Sequence, residues 1–411
     1  MFDRVFNTIS SLRLTVVCLC LAIVLVFSGT IAQVYLGLYA VQSEFFRSFF
    51  VYWTPSGSSL KIPILPGGWL LGLILLVNLL AAHIKRFKWS KKKIGILLIH
   101  LGLILLLVGQ FVTEIFQRES TMRIENGASK NYSEDSRKNE LAIIDTTDSK
   151  TDTVTSIPES LLAKGGEIHA PGLPFAIQVE RYLANSAPAG PMSGGGEKIK
   201  AADGIGNRLL FSPAPTTARM DDENKPTALL KLVSDKGSVG EWTVSTWLSK
   251  YPYPETLQQE LGSLLGVSLS APQQFSCAGH TYEIALRPVR YYKPYTIQLL
   301  EFKHDLYDGT DVPKNFSSRI HLTNPSARDD RDVLIYMNRP LRYHGETFYQ
   351  ASWIPGDKGT ILQVVANPAA PAPYIACSLV ALGLLVQFLT HLVGFARRQG
   401  PKSPPRQASR R

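Results

Sequence analysis

The chain has 411 residues, 45% of them hydrophobic, and a formal net charge of +10. That charge is concentrated: residues 1–13 carry +1, 85–93 carry +6 and 397–411 carry +6, leaving −3 on everything else. This pattern belongs to cytoplasmic segments beside membrane spans, so it speaks against a nucleic-acid partner and for a lipid bilayer. Cys18, Cys20 and Cys377 lie in apolar runs and Cys277 stands alone, with no CxxC or CxxCH, so no intradomain disulfide is expected.

The first apolar run, about residues 14–34, is too long for a signal-peptide core and lacks a small-x-small cleavage site. It reads as a retained transmembrane helix with its N-terminus inside, capped by Asn7 or Ser10. Residues 35–66 then lie outside and are rich in aromatics. The stretch Val41–Trp53 fits an amphipathic interfacial helix, or one wall of a cofactor pocket at the outer membrane surface.

Two further runs, about 68–84 and 94–111, flank the basic loop KRFKWSKKK and form a transmembrane hairpin whose loop faces the cytoplasm. Gly95, Gly102 and Gly109 repeat every seven residues along its second arm, a smooth stripe for another helix backbone or a flat ligand. Each arm carries a histidine, His83 and His100, where an imidazole is costly without a partner. His100 is six residues beyond Ile94, roughly 9 Å along the axis.

Residues 117–370 hold no other membrane-length run. About eleven segments, from TMRIENG to GTILQVVAN, alternate or form short apolar runs bounded by turn residues, which predicts antiparallel sheets in a sandwich or open barrel. Only SIPESLLAKG and YPETLQQELGSLLGV read as helical, and Ser186–Asp203 reads as a mobile, Gly/Pro-rich insertion. A last apolar run, Tyr374–Phe395 within 371–396, crosses back and leaves the basic tail 397–411 inside. The fold class is therefore an integral membrane protein with four transmembrane helices and a large β-rich extracytoplasmic domain between the third and fourth. Its divisions are 1–116, 117–370, 371–396 and 397–411.

On this plan, NLLAAHIKRFKWS followed by KIGILLIHLGLILLLVG, then DVPKNFSSRIHL and YMNRPLRYHGETFYQASW, resemble the ResB/CcsB family of system II cytochrome c biogenesis. The resemblance implies a bacterial inner-membrane subunit, both termini cytoplasmic, working with a CcsA-type partner on haem b and apocytochrome c. No tryptophan-rich haem-handling loop is present, so the resemblance implies one subunit of a pair. It also implies a transmembrane histidine as a haem-iron ligand, for which His100 comes first and His83 competes. His391 reads as a snorkelling interfacial residue.

In the polar region, His169, His280, His304, His321 and His344 lack metal-ligand spacing and read as ordinary strand or loop residues. Asp308, Asp311, Lys314 and Asn315 read as a hairpin tip or a binding turn. Phe348 is expected to face the core. A sharper reading has Tyr343, Phe348, Tyr349 and Trp353 hold an unfolded apocytochrome segment along a free strand edge. No GxSxG, SxxK or phosphate loop points to other chemistry. Two rivals remain, a membrane-anchored scaffold without haem handling and a transporter or receptor with a β-rich sensor domain.

Overall fold

The computed structural model describes residues 2–55, 60–86, 93–189, 198–217, 223–248, 271–309 and 313–399. The chain divides into two compact units, Met1–Arg118 with Ala366–Arg411, and Glu119–Val365.

The first unit is helical and, among the described residues, holds four helices long and apolar enough to cross a membrane. It opens with a short helix, α1 (Phe2–Ile9), which the apolar-run reading missed because one face is polar. Helix α2 (Leu12–Leu36) starts where the Ser11 hydroxyl accepts from the Leu14 N–H, so the cap is Ser11 and neither Asn7 nor Ser10. Buried Asn78 ties this corner: its amide nitrogen donates to the carbonyls of Ile9 and Ser11, and its oxygen accepts from Thr15.

After α3 (Leu38–Val41) and a single π-turn (Gln42–Phe46), strand β1 (Phe50–Trp53) pairs with β2 (Ile62–Pro66). The expected helix over Val41–Trp53 therefore stops at Phe46. Phe45 and Val51 turn inward onto Cys18, Leu25 and Leu71, so burial against the helices outcompetes an interfacial position. Helices α4 (Gly68–Arg86) and α5 (Ile94–Phe116) form the hairpin, and α5 runs five residues beyond its expected end. Glu114, in that extra turn, is ion-paired with Arg47. The last helix, α7 (Ala372–Gln399), packs along α5.

The second unit is built on β3 (Arg118–Glu125) and β4 (Ser129–Asp145), followed by β5 (Thr153–Pro158), α6 (Glu159–Lys164), β6 (Gly166–Ile168) and β7 (Phe175–Leu183). The polar first half of β4 was invisible to hydropathy. Strand β8 (Ser186–Ala189) pairs with β9 (Leu210–Pro213), and Ile199 and Ala201 are buried. Both ends of the supposed mobile insertion are thus part of the fold, while its residues 190–197 and the expected helix in YPETLQQELGSLLGV lie outside the described residues. The chain continues through β10 (Thr227–Ser234), β11 (Gly237–Ser245), β12 (Gln273–Cys277), β13 (His280–Leu306), β14 (Pro313–Asn324), β15 (Asp329–Tyr336), β16 (Leu341–Tyr343), β17 (Glu346–Ile354) and β18 (Gly359–Ala366), then α7 (Ala372–Gln399).

Two cores share the long strand β13, and β4 lines the first of them. In the first, Leu141, Ile143, Ile284 and Leu286 face a four-stranded sheet ordered β11-β10-β7-β6 that contributes Ile177, Leu230, Leu232 and Val244. In the second, the larger sheet runs β15-β14-β13-β4-β3-β18-β17-β16 around Met122, Ile297, Leu322, Phe348 and Leu362. Its end strands β15 and β16 follow each other in the chain and are bridged at Tyr336–Arg339, so the sheet curls into a nearly closed barrel. The unit is both a sandwich and a barrel.

Strand β13 serves both cores by changing phase. Ile284 and Leu286 point into the first core, whereas Tyr295, Ile297 and Leu299 point into the second. Strict alternation forbids that, and the ladder with β4 accordingly slips between Pro288 and Arg290 and again between Tyr292 and Ile297. Pro288, with no N–H for the ladder, sits at the first slip. Two strands expected from the sequence are therefore one.

Candidate functional site

The glycine stripe of α5 does not form an open groove. A Cβ on Gly95 would lie 2.8 Å from the Gly383 carbonyl and the Gln387 nitrogen, and one on Gly102 would lie 2.8 Å from the Ala376 carbonyl. The stripe is filled by the backbone of α7, which settles the choice between a helix and a flat ligand in favour of the helix. At 100° per residue, His100 lies about 140° around α5 from Gly95. The histidine therefore faces away from α7.

That opposite side meets α4. The His83 and His100 rings approach edge to face, with centroids 4.9 Å apart and planes at 70°. Sequence reasoning treated the two as competitors, and the fold makes them neighbours. His100 Nδ1 is buried without a hydrogen-bond partner. An orphaned polar atom of this kind costs about 1–3 kcal/mol, and lipid surroundings supply no water to relieve it. Beside His100, Ile96 and Leu103 share its face of α5 and are exposed, as are Val77, Leu80 and Ile84 on α4. His391, one helix away, instead bonds Gln387 within its own turn at 2.7 Å.

The pair is too close to take the two opposite positions of one metal. Two imidazoles on opposite sides of an ion, each nitrogen about 2 Å from it, place ring centroids roughly 6 Å apart. One ring can donate to a metal as an axial ligand while the other packs against it.

In the second unit, most sequence-flagged residues are structural. Phe348 is completely buried in the barrel core, so its place in a client-binding surface is corrected: no client can reach it. Tyr343 is half-buried, packs edge-on against Tyr295, and its hydroxyl accepts from Asn324. Trp353 stacks on Phe316. Tyr349 alone of the four is well exposed. Asp308 is exposed and Asn315 donates to Asp305, as at an ordinary hairpin tip, while Asp311 lies outside the described residues.

Buried charges are paired. Arg287 Nε donates to Glu140 at 3.0 Å, which also accepts from Ser156. Lys293 donates to both oxygens of Glu346 at 2.7 and 2.8 Å, and the Tyr295 hydroxyl donates to the same carboxylate at 2.5 Å. Burial first, and that carboxylate second, push the Tyr295 phenol well above its ordinary range. These networks hold β4, β13 and β17 together, and no spacing signal in the sequence reveals them. Among the described residues no three His, Cys, Asp or Glu side chains converge on a metal site.

The outer histidines are mostly held by carboxylates: His169 by Glu167, His280 by Asp145 and His321 by Asp330 and Asp332. His344 takes the left-handed backbone at φ 49° in the β16–β17 turn and accepts from Asn324. His304 differs. Its Nδ1 lies 3.2 Å from Asp357, and its Nε2 is buried without a partner.

Residues 273–361 match the ResB-like family. Protein NrfI of Wolinella succinogenes is 32% identical over 107 residues, 26% of this chain and 12% of NrfI. The chain thus matches about an eighth of that relative's length.

Proposed function

This chain carries a ResB-like sequence at residues 273–361, and from that premise we propose that it is a membrane subunit of cytochrome c biogenesis. In this reading it works beside a CcsA-type subunit, helps to move haem b across the membrane and presents apocytochrome c for haem attachment. In the same reading the membrane is a bacterial inner membrane, and the basic loop and basic C-terminal segment support cytoplasmic termini with Glu119–Val365 on the outer side.

The observation that carries the reading is His100, with a buried and unpartnered ring nitrogen on a membrane helix, against His83. Imidazole nitrogen is a common axial donor to haem iron, so the donor fits the group. His100 would supply one axial position and His83 would fix its ring by packing. A partner subunit would hold the haem from its other side. Exposed Ile96, Leu103, Val77 and Leu80 offer the apolar surface that such a ligand or partner helix needs. Bound haem supplies the vinyl groups to which cysteine thiols add. The chain's own residues contribute position and exclusion of water.

One finding favours the rival scaffold: the glycine stripe, the flattest surface on α5, is already closed by α7. Absorbance of the full chain purified with its partner separates the readings. The proposal expects a Soret band that falls at least fivefold in His100→Ala. An unchanged band in that variant rejects the assignment of His100, and no band in the parent complex leaves only the scaffold.

A further inference from the structure

We propose that strand β15 is a docking edge for an extended polypeptide segment that carries apolar side chains at alternate positions and a carboxylate among them. The edge lies in the β-rich unit and does not depend on the haem reading of the histidine pair.

Strands β15 and β16 end the larger sheet and follow each other in the chain. Met337 and Asn338 form a two-residue turn between them, with Asn338 at φ 64°, and Tyr336 and Arg339 exchange both backbone bonds across it at 3.4 and 2.9 Å. Were that ladder to continue, Leu334 would oppose Leu341, and Val333 would oppose Arg342. Residues directly opposite on a ladder point to the same face. Here they do not: Leu334 is 49% exposed and Leu341 only 8%, while Val333 packs on the barrel core and Arg342 is exposed. The two strands are out of phase by one residue, and such a slip turns every side chain over. Among the described residues no other backbone hydrogen bond joins β15 to β16.

Strand β15 is left with a free edge. Backbone groups of successive residues point to opposite sides of a strand. Those of Tyr336 point to the seam, so those of Leu334 and Asp332 do as well, whereas Val333 and Ile335 turn theirs to β14. The aromatic strand β17 is an inner strand, between β16 and β18. Charges commonly guard an edge against pairing. The first half of β15 has them in Asp330, Arg331 and Asp332, and the second half, Val333 to Tyr336, has none.

What surrounds this edge selects the ligand. A row of unpaired N–H and C=O groups matches an extended backbone. Leu334, Met337 and Tyr349 are well exposed and offer contacts to apolar side chains. Tyr349 follows the buried Phe348 on β17, so it shares the outer face with Leu334. Arg339 is occupied by Tyr336, whose hydroxyl accepts from it at 3.3 Å. Arg342, opposite Thr347, is exposed and makes no ion pair among the described residues, which suits a carboxylate on the incoming segment.

The probe is a peptide of about nine residues, alternating valine and threonine with one central glutamate, offered to the full chain in detergent. A copy N-methylated at every residue lacks the donors and serves as the control. The unmodified peptide should slow amide exchange at Asp332 and Leu334 at least tenfold and leave Val333 and Ile335 unchanged, and the methylated copy should do neither. Leu334→Lys places a guarding charge on the edge and should weaken the peptide at least tenfold at an unchanged thermal midpoint. Arg342→Glu should weaken it at least fivefold, but not when glutamine replaces the peptide's glutamate. No binding by the parent chain overturns the proposal, as does equal slowing at all four amides or full affinity in Leu334→Lys. An equal loss with the glutamine peptide in Arg342→Glu overturns the carboxylate. None of these outcomes bears on His100, whose readout is the Soret band.

Discussion

Gly95 on α5 and Gly383 on α7 lie back to back, and a Cβ built on either would come within 2.8 Å of the other's carbonyl oxygen. Side chains are excluded from this crossing, which lets two membrane helices approach at backbone distance.

Substitution along the stripe should therefore be graded by what each Cβ meets. At Gly95 it meets two backbone atoms, which cannot rotate away, whereas at Gly109 it meets only the Ala372 methyl. Gly95→Ala should cost about 1–3 kcal/mol, the usual range for overpacking, and Gly109→Ala less. Thermal midpoints of the full chain in one detergent give the comparison. A larger loss at Gly109 would contradict the packing described.

Glu140 and Arg287 are almost fully buried, at 5% and 7% side-chain exposure, and come from strands distant in the chain. Removing one partner strands a charge, so Glu140→Ala should destabilise the β-rich unit by about 3–5 kcal/mol. Replacing both, as Glu140→Leu with Arg287→Met, should recover most of that loss. Chemical denaturation followed by tryptophan fluorescence reports both, and failure of the double variant to recover would mean that the pair specifies the strand register.

Phe348 and Tyr349 are adjacent in a motif that reads as a client surface, yet their environments are opposite. Phe348→Ala should cost about 3–5 kcal/mol, as expected for emptying a core position. Tyr349, 41% exposed, should tolerate Ala within about 0.5 kcal/mol. If a client peptide binds here, its affinity should fall in Tyr349→Ala while the melting curve stays put.

The protonated His321 ring donates to two carboxylates, from Nδ1 to Asp332 at 2.8 Å and from Nε2 to Asp330 at 2.7 Å. The bond to Asp332 first, and that to Asp330 next, raise its pKa above the ordinary value. A raised folded pKa stabilises the fold fully below the unfolded pKa, roughly 6.5, and the gain is lost as pH rises through the folded value. Ring-proton titration by NMR should place His321 above an exposed histidine, and Asp332→Asn should bring it down. No movement in that variant would show that the ion pair is absent in solution.

The barrel motif also shows where local reading failed. The sequence YEIALRPVRYYKPYTIQ reads as two strands because prolines interrupt it, but β13 runs through both by slipping register. Residues 129–138 carry no apolar alternation, so the first half of β4 was silent. The N-terminal cap, Ser11, lies one residue beyond Ser10 and four beyond Asn7, the two candidates in the sequence; all three are competent and only the chain's turn selects among them.

Hydropathy and charge are local quantities, and they were enough to determine four membrane helices, a basic hairpin loop and a β-rich insertion. The glycine spacing likewise marked a close-approach face before any partner was known. What filled that face, and that His100 turns from it to meet His83, depended on α7, which follows the whole β-rich unit in the chain. The same holds for Arg287 with Glu140 and for His304 with Asp357. Each is a meeting of residues brought together by strand pairing or helix packing, and non-local contacts of that kind leave no periodic trace along a single chain.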